Sequence, residues 1–106
     1  MSNELVKHYI AGGVYAKEWL AEGVGEAIQQ HTHNYDHLSY LAVGQVEVVV
    51  DGEHPTIYTG PTGINIKAGK AHRVTALTSD VVWLCIHAIP SDLRDTEMIE
   101  KTLISD

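Results

Sequence analysis

Four histidines, His31, His33, His37 and His72, stand at spacings that suit a shared metal ion. Imidazole nitrogen is the commonest protein ligand for transition metals. His31 and His33 are two residues apart. On a β-strand their rings therefore leave from one face, with a rise of roughly 6–7 Å between them. From that separation both can lean onto one ion. His37 follows after three intervening residues, and His72 comes from a distant segment. With seven histidines in 106 residues, a triplet at this spacing would arise by chance in roughly a few per cent of such chains. The glycines around it must therefore carry part of the case.

The elements that would position these histidines read as short strands. Val14 to Leu20 mixes β-branched and aromatic residues between Gly12-Gly13 and the Gly23/Gly25 pair. Ala27 to His33 follows, then the polar break Asn34-Tyr35-Asp36, then Leu38 to Val43, which stops at Gly44. Val46 to Val50 runs into Asp51-Gly52, the strongest hairpin signal in the chain. Thr56 to Thr59 ends at Gly60-Pro61, and Ile64 and Ile66 alternate with Asn65 and Lys67. Val74 to Leu77 and Val81 to Ile89 flank Thr78-Ser79-Asp80. Strands this short, broken every eight to twelve residues or so, indicate a sandwich or barrel. Pro90-Ser91-Asp92 reads as a helix start. Leu93, Met98, Ile99, Thr102 and Leu103 trace a partial apolar stripe behind it. The expectation is one all-β domain over 1–106, with a barrel core over about 14–89 and a C-terminal helix over about 92–103.

Composition narrows the partners. Fourteen acidic against seven basic residues give a formal charge of −7. That argues against nucleic acid, which would call for a basic stripe, and against an anionic membrane surface. The one cysteine, Cys85, cannot form an internal disulfide. Met1-Ser2-Asn3-Glu4 lacks a charged n-region and an apolar h-region, and no apolar run approaches the length of a membrane span. A cytoplasmic location is expected.

Gly25, five residues, His31, one residue, His33, three residues, His37, six residues, Gly44: this pattern resembles the first motif of the cupin superfamily. Gly69, two residues, His72 resembles the second motif. The family pattern has Glu where this chain has His37, Pro at the position of Lys67, and Asn at the position of Ala76. The resemblance extends over roughly Val14 to Ile89. It implies a cupin-type double-stranded β-helix, or jelly-roll barrel, with a divalent metal near its middle and often a homodimer. Family members include dioxygenases, isomerases, lyases, decarboxylases and non-catalytic binders, so the fold does not settle function.

Replacement of Glu by His37 changes the chemistry of the site. Four neutral imidazoles would leave a divalent ion near a charge of about +2, which favours an anionic guest and acidifies bound water. Tetrahedral Zn²⁺ could be closed completely by four histidines, whereas six-coordinate Mn²⁺, Fe²⁺ or Ni²⁺ would keep two open positions. The open site is favoured, with Zn²⁺ as the alternative metal. The leading expectation is an oxygenase acting on a small anionic or enolisable compound. A redox-neutral isomerase or lyase, or a non-catalytic small-molecule or metal binder, stands beside it.

Three further residues are candidates for chemistry: His87, Tyr35 and Tyr40. His87 lies on a strand whose two faces, Trp83-Cys85 and Val82-Leu84-Ile86, are both apolar, so alternation leaves its direction open between packed core and pocket acid–base group. Tyr35 and Tyr40 flank the histidine segment, where β-aromatic packing competes with substrate contact. Gln29 shares the His31 face if that strand is regular. Cys85 reads as a small buried hydrophobe. Lys67, Lys70 and Arg73 read as solvated charge, and His8 and His54 as surface residues.

Overall fold

Two-residue alternation builds two facing sheets whose inner sides are apolar at one end and ring-rich at the other. The computed structural model describes residues 5–30, 36–51 and 53–89. In chain order the strands are β1 (Leu5–Ala11), β2 (Val14–Ala21), β3 (Ala27–Gln30), β4 (His37–Val43), β5 (Gln45–Val50), β6 (Thr56–Thr59), β7 (Thr62–Ile66), β8 (His72–Ala76) and β9 (Val81–Ala88). A five-stranded sheet runs β1-β2-β9-β4-β7, and a four-stranded sheet runs β3-β8-β5-β6. Neighbours in both are antiparallel. This is the expected all-β double-stranded β-helix. The expected helix over 92–103 lies outside the described residues, as do His31, His33 and Tyr35.

β1 lies N-terminal to the expected start of the barrel core. Gly12 and Gly13 join it to β2 with φ of 58° and 76°, and Ala11 stands opposite Val14. Two positive-φ residues between paired strands are what a type I′ hairpin demands. β5 and β6 pair antiparallel across the connection that the Asp51-Gly52 signal marked, and Glu53 N–H donates to the Val50 carbonyl at 2.9 Å to close a turn there. The β5–β6 ladder ends at Val48 opposite Thr56, whereas Val49 and Val50 pair with Arg73 and His72 of β8. Asp51 N–H donates to the Ala71 carbonyl at 2.9 Å.

Along β9 the buried positions are Val81, Trp83, Cys85 and His87, which settles the facing that apolar patterning left open. Trp83 stands opposite Trp19 on one side and Leu41 on the other. With Ala21, Val46, Ala76 and Val81 these form an apolar plug at one end of the sandwich. A buried Trp or Leu contributes on the order of 2–3 kcal/mol each by removal from water. Cys85 belongs to this core, and its Sγ accepts a hydrogen bond from the buried Ser39 Oγ at 3.7 Å.

At the crossing from β4 to β5 the chain leaves one sheet for the other. Gly44 makes that step at φ 96°, and a Cβ there would meet Val81 Cγ2 at 2.8 Å and the Val81 Cα at 3.2 Å. Both backbone conformation and close approach require glycine. Gly44→Ala should therefore cost about 2–4 kcal/mol of unfolding free energy. Gly12→Ala, with open space around its Cβ, should cost only about 1–2 kcal/mol from its backbone angle. Urea denaturation of both variants measures the difference.

Candidate functional site

Opposite the apolar plug, strand ends bring aromatic rings together. His37 is the first residue of β4 in the five-stranded sheet, and His72 the first of β8 in the four-stranded sheet. Both are buried and face the gap between the sheets, with ring centroids 5.8 Å apart and planes tilted by 41°. Metal–nitrogen bonds near 2.1 Å would put two coordinated ring centroids about 4.5–6.5 Å apart. The centroid separation of the described histidine pair lies within that range.

Asp36 ties the two histidine segments together. Its Oδ1 accepts the Ala68 N–H at 2.8 Å, and its Oδ2 lies 3.9 Å from Lys67 Nζ. The residue before His37 is thereby joined to the turn that leads into His72. The ion pair is solvent-exposed and contributes little by itself; the Ala68 N–H bond to the Asp36 carboxylate is the closer link between the two segments. Sequence reasoning missed Asp36, which carries no motif. Lys67, read from the sequence as solvated charge, is exposed as expected and lies beside Asp36.

His87 is buried and stacks on His37, centroids 4.7 Å apart at 28°. Tyr15, directly opposite His87 in the β2–β9 ladder, stacks on its other side at 5.6 Å and 15°. His8 stacks on Tyr15 at 5.9 Å, and its Nδ1 is 2.8 Å from the Tyr15 hydroxyl. The rings thus form one column from exposed β1 to the interior. Near-parallel stacking presents faces rather than nitrogen lone pairs. Accordingly, among the described residues no group of three or more His, Cys, Asp or Glu converges in metal-ligand geometry.

Tyr40 is exposed on the outer face of β4, between the inward Ser39 and Leu41, and so does not reach this chamber. A small cleft of about 110 Å³ opens between β5–β6 and β7, lined inside by Val48, Val50, Ile64 and Ile66 and rimmed by Glu53, His54 and Lys67. Val50 is the ladder partner of His72, and Ile66 that of His37. The cleft therefore borders the histidine pair.

His8 links this column to solution chemistry. Burial, and then the Lys17 ammonium directly across the ladder, hold its pKa below the ordinary 6.5. A lowered folded-state pKa means the unfolded chain binds more protons. The neutral-His8 contribution to stability is therefore full above about 6.5 and is lost as pH falls from there toward the folded value. An NMR titration should place the His8 midpoint below the ordinary histidine value of about 6.5. His8→Gln should flatten the stability slope across the same window.

No family model matches the chain, and no curated protein sequence matches it. Solved structures do. An uncharacterised conserved protein with a double-stranded β-helix domain from Klebsiella pneumoniae superposes with a TM-score of 0.70 at 16% identity, covering 86% of this chain and 83% of that one. An RmlC-like cupin family protein from Methanocaldococcus jannaschii gives 0.69 at 13%, covering 82% and 81%. KdgF from a Halomonas species gives 0.66 at 17%, covering 82% and 81%. Likeness at such identities speaks to the backbone alone, and the backbone is the double-stranded β-helix of the cupins.

Proposed function

We propose that this protein is a metal-dependent enzyme of the cupin type, an oxygenase acting on a small anionic or enolisable organic compound. His31, His33, His37 and His72 would hold one divalent ion, Mn, Fe or Ni in preference to Zn. The observation that carries the reading is the buried His37–His72 pair, contributed by opposite sheets with ring centroids 5.8 Å apart. Such an ion, when bound, supplies Lewis-acid polarisation of the guest and, if redox-active, reactivity toward oxygen.

The remaining groups have roles that follow from their places. His87 covers one face of His37, fixing that ring and keeping water from it. The apolar walls of the neighbouring cleft suit a guest with a short hydrocarbon part. Tyr35 stays a candidate for substrate contact.

A redox-neutral isomerase or lyase is the second reading, and the position of His87 favours it. That chemistry needs a proton-handling side chain beside the bound guest, and the His87 ring lies 4.7 Å from His37.

Protein purified without added metal should contain close to one transition-metal ion per chain by elemental analysis. His37→Ala and His72→Ala should each weaken metal affinity by at least about 100-fold, beyond what loss of an outer-shell partner costs. Metal content unchanged in both variants would end the proposal. With the loaded protein, oxygen uptake on a panel of diketones and phenols supports the oxygenase. Turnover that persists without oxygen, or with Zn²⁺ substituted, selects the isomerase or lyase, and tight binding without conversion selects a non-catalytic binder. Because the plug is continuous without the site, chelation should leave the β-sheet circular dichroism signal intact. Unfolding on chelation would instead mark a structural zinc protein.

A further inference from the structure

Among the described strands, the inner faces carry one lysine and no carboxylate. On β1 and β2 the inner face sets Val6, His8 and Ile10 opposite Trp19, Lys17 and Tyr15. Lys17 is also the ladder partner of the buried Cys85, so its stem leaves from the inner side of the sheet. Glu18 and Glu47 are the acidic residues of these strands, and both belong to outer faces. Glu18 stands opposite Lys7, and Glu47 lies between the buried Val46 and Val48. The carboxylates in the connecting turns that form ion pairs hold other cations, Asp36 with Lys67 and Glu53 with Lys70. Lys17 thus has no carboxylate partner among the described residues.

The group held next to its charge is a base instead. Directly opposite ladder positions put Cβ atoms about 4.5–5.5 Å apart, and the Lys17 charge acts on His8, which stands there. Tyr15 fixes the other side of the His8 ring, with its hydroxyl 2.8 Å from Nδ1. A phenol is the better donor and an imidazole nitrogen the better acceptor, so Tyr15 donates. The ring proton of neutral His8 then sits on Nε2. Two N–H donors, Lys17 Nζ and His8 Nε2, therefore share one place at the end of the ring column. Like charges across a ladder cost free energy, and an anion between them reverses the sign. The place is open to a ligand because β1 is the edge strand and His8 is exposed on it. Ile10, next along the same side, is 43% exposed and adds an apolar neighbour.

We infer that His8 and Lys17 form a binding site for the carboxylate of a small organic acid, whose hydrocarbon part lies on Ile10. Tyr15 is a positioning residue that holds the His8 tautomer. The site is separate from the histidine pair and uses no metal: Tyr15 and His87 stand between His8 and His37 in the column. Its occupancy is tied to pH. A bound carboxylate stabilises the His8 imidazolium, so affinity rises as pH falls through the His8 midpoint. Lys17 and Tyr15 face His8 from β2, with Cys85 and His87 beyond them on β9, and none of these is a carboxylate that would compete.

Sodium butyrate added to the chelated full chain, with chloride as the control at equal ionic strength, tests the site by NMR. Butyrate should shift His8 and its neighbours on β1 and β2 saturably, with half-effect at millimolar concentration. It should also raise the His8 midpoint by about half a unit or more. Acetate, two methylenes shorter, should bind about threefold or more weakly. Lys17→Gln should raise the His8 midpoint in chloride alone, because the repulsion is gone, and should abolish the response to butyrate. A response kept in Lys17→Gln overturns the inference, and so do shifts centred on His37 and His72 rather than His8. Inorganic phosphate binding more tightly than butyrate overturns the assignment to an organic acid. Should Lys17→Gln lose its β-sheet circular dichroism signal, the unmodified protein decides. Saturable shifts confined to β1 and β2 uphold the site, and absent or unsaturable ones overturn it.

Discussion

Everything in this molecule depends on β9 being a central strand with one fully buried face. Its inward residues, Val81, Trp83, Cys85 and His87, run the length of the sandwich. The first three face apolar partners: Val81 stands opposite Ala21, and Trp83 is held between Trp19 and Leu41. The last faces Tyr15 and lies against His37. Because the pleat allows no change of face without a bulge, the plug fixes the register and the register fixes the ring chamber. A one-residue slip of β9 would put Trp83 in solvent and withdraw His87 from His37 together.

The plug has costs of its own. Trp19 Nε1 and Trp83 Nε1 are both buried, with no hydrogen-bond acceptor among the described residues. An unsatisfied buried donor typically costs about 1–3 kcal/mol. Two indoles retained despite that cost indicate that their volume matters more than their polarity. Large paired rings fill the space where the two sheets diverge, and smaller residues such as Ala21 and Ala76 close the end. The chamber end lacks this filling, which is why a cleft opens there between β5 and β7 rather than beside the tryptophans.

Legibility in the sequence followed the range of the interactions involved. Strand breaks were readable because turn chemistry is local: Gly12-Gly13, Gly44 and Gly60-Pro61 each sit at a strand boundary. β1 was not, since a strand exposed on both faces has no burial pattern to alternate. Asp51-Gly52 marked the β5–β6 connection, but how far the ladder runs was hidden, because Val49 and Val50 pair with β8 instead. Among the candidate ligands, motif spacing singled out His37 and His72, which the fold buries and brings together across the gap. It could say nothing of Tyr15 or Asp36, whose importance rests on partners 72 and 32 residues away in the chain. The direction of His87 was undecidable for the same reason: only pairing with β2 and β4 tells which apolar face is inside.

This division of the interior separates stability from chemistry. The tryptophans of the plug sit in mid-strand, whereas His37, His72 and His87 lie at or next to strand ends, where ladders fray first. Evolution can therefore alter the polar end without dismantling the fold, which is how a single backbone comes to host unrelated activities. The constraint runs the other way at one place. His37 and His72 begin their strands, and both follow segments pinned through Asp36, so moving either ring by a residue would break the Asp36–Ala68 hydrogen bond and the Ile66 or Val50 pairing together. The distance between the two imidazoles is thus set by the backbone rather than by side-chain choice, and it is this fixed gap that any bound ion would have to match.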